Sequence, residues 1–212
     1  MSRTRFPRRI DALDTRPGQK KQRLFRDIIQ DVLFIAQGGV KSLDLKEYRI
    51  INASHFEYFA FCDDFGPLNM SCVIRFIELL NSETSSFPSK KIIVYAESGR
   101  RALANAAFLL GAYLLIQLDM PLADVLGRFS WADASLVQPY RDATYADSDF
   151  PITLADCFSA LARARSHGWV LAATPSEPAV YGRINVEEYE HYDDPWNGDL
   201  HEVPNSHLDD SP

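Results

Sequence analysis

KKIIVYAESGRRALANAAFLLGAY, residues 90–113, is the stretch whose reading decides the fold. Ile92, Ile93 and Val94 form a short β-branched run, which favours a strand. A polar turn follows around Gly99, and the apolar residues after it are numerous enough for a long buried helix. Strand, glycine turn and helix N-terminus together make a cradle for an anion. The unpaired N–H groups of the first helical turn and the helix dipole both favour negative charge there.

The chain around this element has 212 residues, enough for one domain with a substantial core or two small ones. Hydrophobic residues make up 46%, with 13 Phe, 9 Tyr and 3 Trp, which marks a globular rather than a disordered chain. The run AAFLLGAYLLIQL is 13 residues, too short for a bilayer and suited to a buried helix. The first ten residues are basic but lack the apolar segment of a signal peptide, so an intracellular chain is expected. Cys62, Cys72 and Cys157 are odd in number and scattered, as befits reduced thiols packed as small core side chains. A net charge of −7 argues against nucleic acid as a partner and mildly favours basic partners.

Residues 1–23 are rich in Arg and Lys without a periodic apolar pattern, and read as a disordered basic arm. The fold is expected to start near Leu24. DVLFIA (31–36) and YRIINA (48–53) read as strands separated by the turn QGGV. GPLNMSCVIRFIELLNSE reads as a helix beginning near Pro67, with Leu68, Cys72, Ile74, Phe76, Ile77 and Leu80 on its apolar face. SETSSFPS reads as a loop. Pro121 opens a short helix, and Pro151 opens another that stops at Gly168. The segment INVEEYEHYDDPWNGD, acidic and aromatic, reads as one helical turn and then an irregular run. Strands first, then strand–helix alternation, predict an α/β domain with a central mixed sheet flanked by helices.

Cysteine-dependent phosphatases carry the element strand-His-Cys-x-x-Gly-x-x-Arg-helix. Anchored on Gly99, that pattern puts Tyr95 at the His, Ala96 at the Cys and Ala102 at the Arg. Four further blocks, DFGPLN (64–69), PYRDATY (139–145), ITLADC (152–157) and VEEYEHYDDPWNGD (186–199), accompany the opening stretch. In this order the five blocks closely resemble the N-terminal half of the mitotic-exit dual-specificity protein phosphatases, the CDC-fourteen type, over roughly residues 24–205. The resemblance implies a phosphatase-like N-terminal domain at 24–172, lacking the catalytic cysteine. It implies a loop and acidic linker helix at 173–204 and a tail at 205–212. In that family two phosphatase-like domains stand in tandem, and only the C-terminal one carries the nucleophile, the phosphate-binding Arg and the general acid. The N-terminal one helps to form a substrate groove that favours phosphoserine-proline with a basic residue shortly after.

Cleavage by this mechanism needs a thiolate, a guanidinium clamp and an acid for the leaving group. Ala96 and Ala102 supply neither thiol nor clamp, Glu97 repels a phosphate dianion, and Arg100 and Arg101 are displaced from the clamp position. The segment Ala96, Glu97, Ser98, Gly99, Arg100, Arg101, Ala102 therefore reads as a degenerate phosphate loop, with no catalytic residue. The scattered histidines show no metal-ligand spacing, so no metal or cofactor is expected. The resemblance implies groove carboxylates at Asp142, Glu190 and Asp193, the last two three residues apart on one helical face. It also shows departures, since Leu122 and Ala123 stand where the family has paired glutamates. The expected function is the substrate-recognition half of a dual-specificity phosphatase, with a catalytic domain in cis or in trans. The competing reading is a stand-alone pseudophosphatase that binds or scaffolds phosphoproteins. Tyr189, Tyr192, Trp196 and Leu200 are the residues expected to separate the two, as an exposed apolar patch in the first case. The expected location is nucleus and cytoplasm, including the spindle or centrosomal poles, with no membrane partner.

Overall fold

The computed structural model describes residues 24–39, 46–144, 146–174 and 181–191, and of Glu190 and His191 it describes the backbone. The expected basic arm at 1–23, the tail at 205–212 and most of the linker lie outside the described residues. Four strands form one sheet: β1 (Leu24–Ile29), β2 (Leu33–Gln37), β3 (Tyr48–Asn52) and β4 (Lys91–Ala96). Their order is β1-β2-β4-β3, with β1 antiparallel to β2 and the pairs β2–β4 and β4–β3 parallel. The sheet is thus mixed, as expected, and helices flank it. They are α1 (Met70–Ser86), α2 (Arg100–Ile116), α3 (Leu122–Arg128), α4 (Leu154–Ser166) and α5 (Val186–His191). No helix among the described residues is long and apolar enough to cross a membrane.

Alternation along each strand assigns the two faces of the sheet. Leu33, Ile35, Ile51, Ile92, Val94 and Ala96 point into the main core with the helices, while Phe34, Ala36 and Ile93 cluster on the other face. Every residue of α2 from Ala106 to Ile116 is buried, so this helix runs through the middle of the domain. It lies close against α4 because position 111 is glycine. A Cβ there would fall 2.1 Å from the Phe158 ring, which itself is 1% exposed.

The structure corrects several expected boundaries. β1 is a strand the sequence pattern did not reveal, since only Leu24 and Ile28 of its six residues are buried and a bulge interrupts it between Asp27 and Ile29. α1 starts after Asn69 rather than near Pro67, because the Asn69 side chain accepts the Cys72 N–H at 2.9 Å and caps the first turn. Cys72 is consequently half-buried, and Val73 joins the buried face. Residues 82–86, expected in a loop, continue α1: Glu83 makes a two-pronged ion pair with Arg49 of β3, and Thr84 bonds back to the Leu80 carbonyl at 2.7 Å. Pro88 then prevents continuation. α4 is started by Thr153, not Pro151, through a capping box in which Thr153 and Asp156 satisfy each other's N–H groups. Gly168, at φ +67, follows its end as expected.

Candidate functional site

Parallel register places the carboxyl ends of three strands side by side: Gln37 of β2 pairs with Ala96 of β4, and Asn52 of β3 with Tyr95. In open α/β sheets this edge is where ligands bind. The degenerate loop leaves β4 here. Ala96 is the last residue of β4 and fully buried, and Glu97, Ser98, Gly99 and Arg100 are exposed. Gly99 takes φ 124 and ψ 150, a conformation only glycine adopts without strain, and its carbonyl accepts the first helical N–H, from Leu103 at 3.2 Å. The loop is held from beneath by Gln37, 8% exposed, whose side-chain amide donates to the carbonyls of Glu97 (2.5 Å) and Gly99 (2.9 Å).

The two arginines beside Gly99 are engaged within the domain. Arg100 donates to the carbonyls of Ala134 and Val137. Arg101 pairs with Asp63 at 2.8 Å and lies over the Phe65 ring, 5.3 Å from its centroid. Asp63 also accepts from Arg141 at 3.2 Å. Ala102, in the expected clamp position, lines a cavity of about 430 Å³ instead.

That cavity is walled on one side by the segment after β3, including Ala53, Phe56, Glu57 and Tyr58, and by Asp64 and Phe65. On the other side stand Glu97 and the first turns of α2, with Arg101, Ala102 and Asn105. Asp64 is 6% exposed and accepts from the Tyr58 hydroxyl at 2.6 Å and the Cys62 N–H at 2.7 Å. Burial alone would push its carboxyl up, but those bonds, with further N–H contacts from Asp64 itself and Phe61, outweigh burial and hold it below the ordinary aspartate value. Asn105 is different: its side-chain oxygen is buried and has no hydrogen-bond partner among the described residues.

The cysteines do not form a site. Cys62 is exposed and Cys72 half-buried, which corrects the expectation that all three are core thiols; Cys157 alone is buried. A Cys-x5-Arg spacing does occur once, at Cys157 and Arg163, but both belong to α4 rather than to a loop. Six helical residues turn through about 600°, so the two side chains diverge by roughly 120°. Burial moreover pushes the Cys157 thiol up to about 11, away from the reactive thiolate. Among the described residues no group of three or more His, Cys, Asp or Glu is placed to hold a metal ion.

Of the three expected groove acids, Asp142 is exposed, Glu190 contributes a described backbone on α5, and Asp193 lies outside the described residues, as do Tyr192, Trp196 and Leu200. One short stretch links the first two. Phe65 exchanges backbone hydrogen bonds with Arg141 (3.0 and 2.8 Å), next to Asp142. Asn69, besides capping α1, donates its amide to the Tyr189 carbonyl at 2.8 Å, next to Glu190. Four peptide units join Phe65 to Asn69, so their Cα atoms stand no more than about 14 Å apart. The Tyr181 hydroxyl, 3.1 Å from Glu78, adds a second tie between the segment before α5 and α1. The sequence did not single out Gln37, Tyr58, Asp64 or Asn105: Gln37 acts on the carbonyls of Glu97 and Gly99 far along the chain, Tyr58 and Asp64 pair within a loop that carries no periodic pattern, and Asn105 sits in an apolar helix whose packing hides its place at a cavity.

A family model for the N-terminal half of dual specificity protein phosphatases matches residues 27–164. Among curated proteins, the chain is 33% identical over 202 residues to dual specificity protein phosphatase CDC14B of Mus musculus, covering 94% of this chain and 38% of that protein. It is 34% identical over 197 residues to dual specificity protein phosphatase CDC14C of Homo sapiens, covering 92% of this chain and 40% of that protein. It is 35% identical over 147 residues to the tyrosine-protein phosphatase CDC14 homolog of Schizosaccharomyces pombe, covering 68% and 26%. The chain therefore spans less than half the length of these relatives.

Proposed function

We propose, from the premise that this chain belongs to the dual specificity protein phosphatases and matches their N-terminal half, that it recognises phosphorylated protein substrates without hydrolysing them by itself. The observation that carries the reading is the loop after β4. It keeps the strand–glycine–helix order of a phosphate loop, with Gly99 at its turn and α2 behind it, yet has Ala96 and Ala102 at the nucleophile and clamp positions. No thiolate there means no covalent intermediate, and loss of a nucleophile alone removes orders of magnitude in rate. Chemistry then belongs to a catalytic phosphatase domain acting in cis or in trans.

Asp142, Glu190 and Asp193 are the proposed groove for a substrate in which phosphoserine-proline is followed by Lys or Arg. The common anchoring of Arg141 and Tyr189 on residues 65–69 supports this, because it ties two of the three acidic positions to one rigid corner. Carboxylates converging on a cation give charge-assisted bonds and selectivity. Calorimetry with a phosphoserine-proline peptide carrying a downstream Lys should show binding that the double substitution Glu190→Lys with Asp193→Lys abolishes. Equal affinity before and after would remove the groove. The purified chain should also release no phosphate from phosphotyrosine or phosphoserine peptides.

A further inference from the structure

We propose that the cavity at the crest of β4 and α2 is a binding site for the side chain of a peptide arginine or lysine, a cation where the phosphatase architecture would otherwise seat an anion. Asp142 is not among the residues lining this cavity, and the claim stands or falls separately from the proposed groove.

Charge is the first argument. Three carboxylates line the cavity, Glu57, Asp64 and Glu97, against the single guanidinium of Arg101. That guanidinium shares the Asp63 carboxylate, which lies outside the lining, with Arg141. Neither Glu57 nor Glu97 has an ion pair among the described residues, and both are exposed to solvent at the mouth. An incoming dianion would be repelled and an incoming cation attracted.

Hydrogen-bond inventory is the second and independent argument. Among the described residues the Asn105 side-chain oxygen is a buried acceptor without a donor, a condition that costs free energy until a donor is supplied. The Tyr58 hydroxyl cannot be that donor, since its proton is committed to Asp64. A phosphate, which offers mainly acceptors, would leave the deficit in place. A guanidinium or ammonium group, which offers only donors, removes it.

Shape and wall chemistry agree with both. The cavity's volume of about 430 Å³ lies within the usual range for a ligand pocket. Phe56, Tyr58 and Phe65 provide aromatic walls, and Ala102 leaves open the room that a clamp arginine would fill. Phe65 already carries one guanidinium on its ring, that of Arg101, so the same chemistry operates in the cavity wall. A divalent metal fits less well, because both Asp64 oxygens are taken by the Tyr58 and Cys62 donors.

The test is an NMR titration of the isotopically labelled full chain with N-acetyl-arginine methylamide, N-acetyl-lysine methylamide and inorganic phosphate. The arginine probe should shift the backbone amides of Glu57, Tyr58, Glu97–Arg101 and Asn105 saturably. Glu97→Gln and Asn105→Ala should each weaken its binding by about ten-fold, the usual effect of losing one charge-assisted or buried hydrogen bond. Glu190→Lys with Asp193→Lys should leave it unchanged, which separates this site from the groove. Should Asn105→Ala fail to fold, Glu97→Gln and Glu57→Gln, both at exposed positions, still decide the matter. Saturable binding of the lysine probe at the same amides supports the site. Phosphate shifting those amides and displacing the arginine probe would overturn it, as would an absence of saturable shifts or binding indifferent to Glu97→Gln.

Discussion

The body of the β4–α2 unit and its crest obey different constraints. In the body, Val94 and the residues from Ala106 to Ile116 are buried, and Gly111 admits the Phe158 ring at a separation no other residue would allow. Here side-chain volume is the requirement, and cores tolerate little change in it. At the crest, Glu97 to Arg100 are exposed, and what is fixed is the backbone, through Gly99 and the Gln37 amide. Side chains at Ala96 and Ala102 can therefore differ from those of an active phosphatase loop without disturbing the fold. Architecture and chemistry are separable in this unit because they rest on different atoms.

Three substitutions probe that separation, beginning with the largest effect. Phe158→Ala should lower unfolding free energy by about 3–5 kcal/mol in a urea titration, since it empties the contact between α2 and α4. Gly111→Ala should cost about 1–3 kcal/mol by overpacking, and much of that should return when it is combined with Phe158→Leu. Additive losses would show that the two positions do not share one contact.

Gln37→Leu attacks the crest instead. It leaves the carbonyls of Glu97 and Gly99 without their donor and should cost about 1–3 kcal/mol, with faster hydrogen exchange confined to the loop and the first turn of α2. Exchange rising equally in β4 and the rest of α2 would mean that crest and body are one unit after all.

The smallest expected effect is a pH dependence. Asp64 binds its proton less tightly folded than unfolded, because hydrogen bonds to the ionised form outweigh the burial that would raise its pKa. Its contribution to stability is therefore complete above the unfolded aspartate value of about 4 and is lost as pH falls through the lower folded value. Asp64→Asn should flatten the acid limb of the stability curve and leave its slope near pH 7 unchanged, as followed by thermal unfolding at a series of pH values.

Much of the architecture was legible in the sequence. The strands around Ile35, Ile51 and Ile93, the helix of 100–116 and the stop at Gly168 follow from apolar periodicity and glycine position. The remaining differences have separate physical causes. Prolines 67 and 151 stand where helix starts are expected, whereas the side chains of Asn69 and Thr153 cap the first turns. Residues 82–86 look like a loop by composition, but the Glu83–Arg49 pair keeps them helical. β1 lacks an apolar alternation because a bulge and an exposed edge leave only two of its residues inward.

The sequence by itself determined that this is an α/β chain with a strand–glycine–helix element around Gly99 and no cysteine at 96–102, since strand propensity, glycine and residue identity are all local properties. Tertiary structure alone decided what that loop became. Glu57 and Asp64 follow β3, Glu97 follows β4, and Asn105 rides on α2; only the parallel pairing of β3 with β4 brings these elements to one edge of the sheet. Whether carboxylates repel, pair or wait for a cation depends on the distances between them, and distance across a sheet is not written in the order of residues along it.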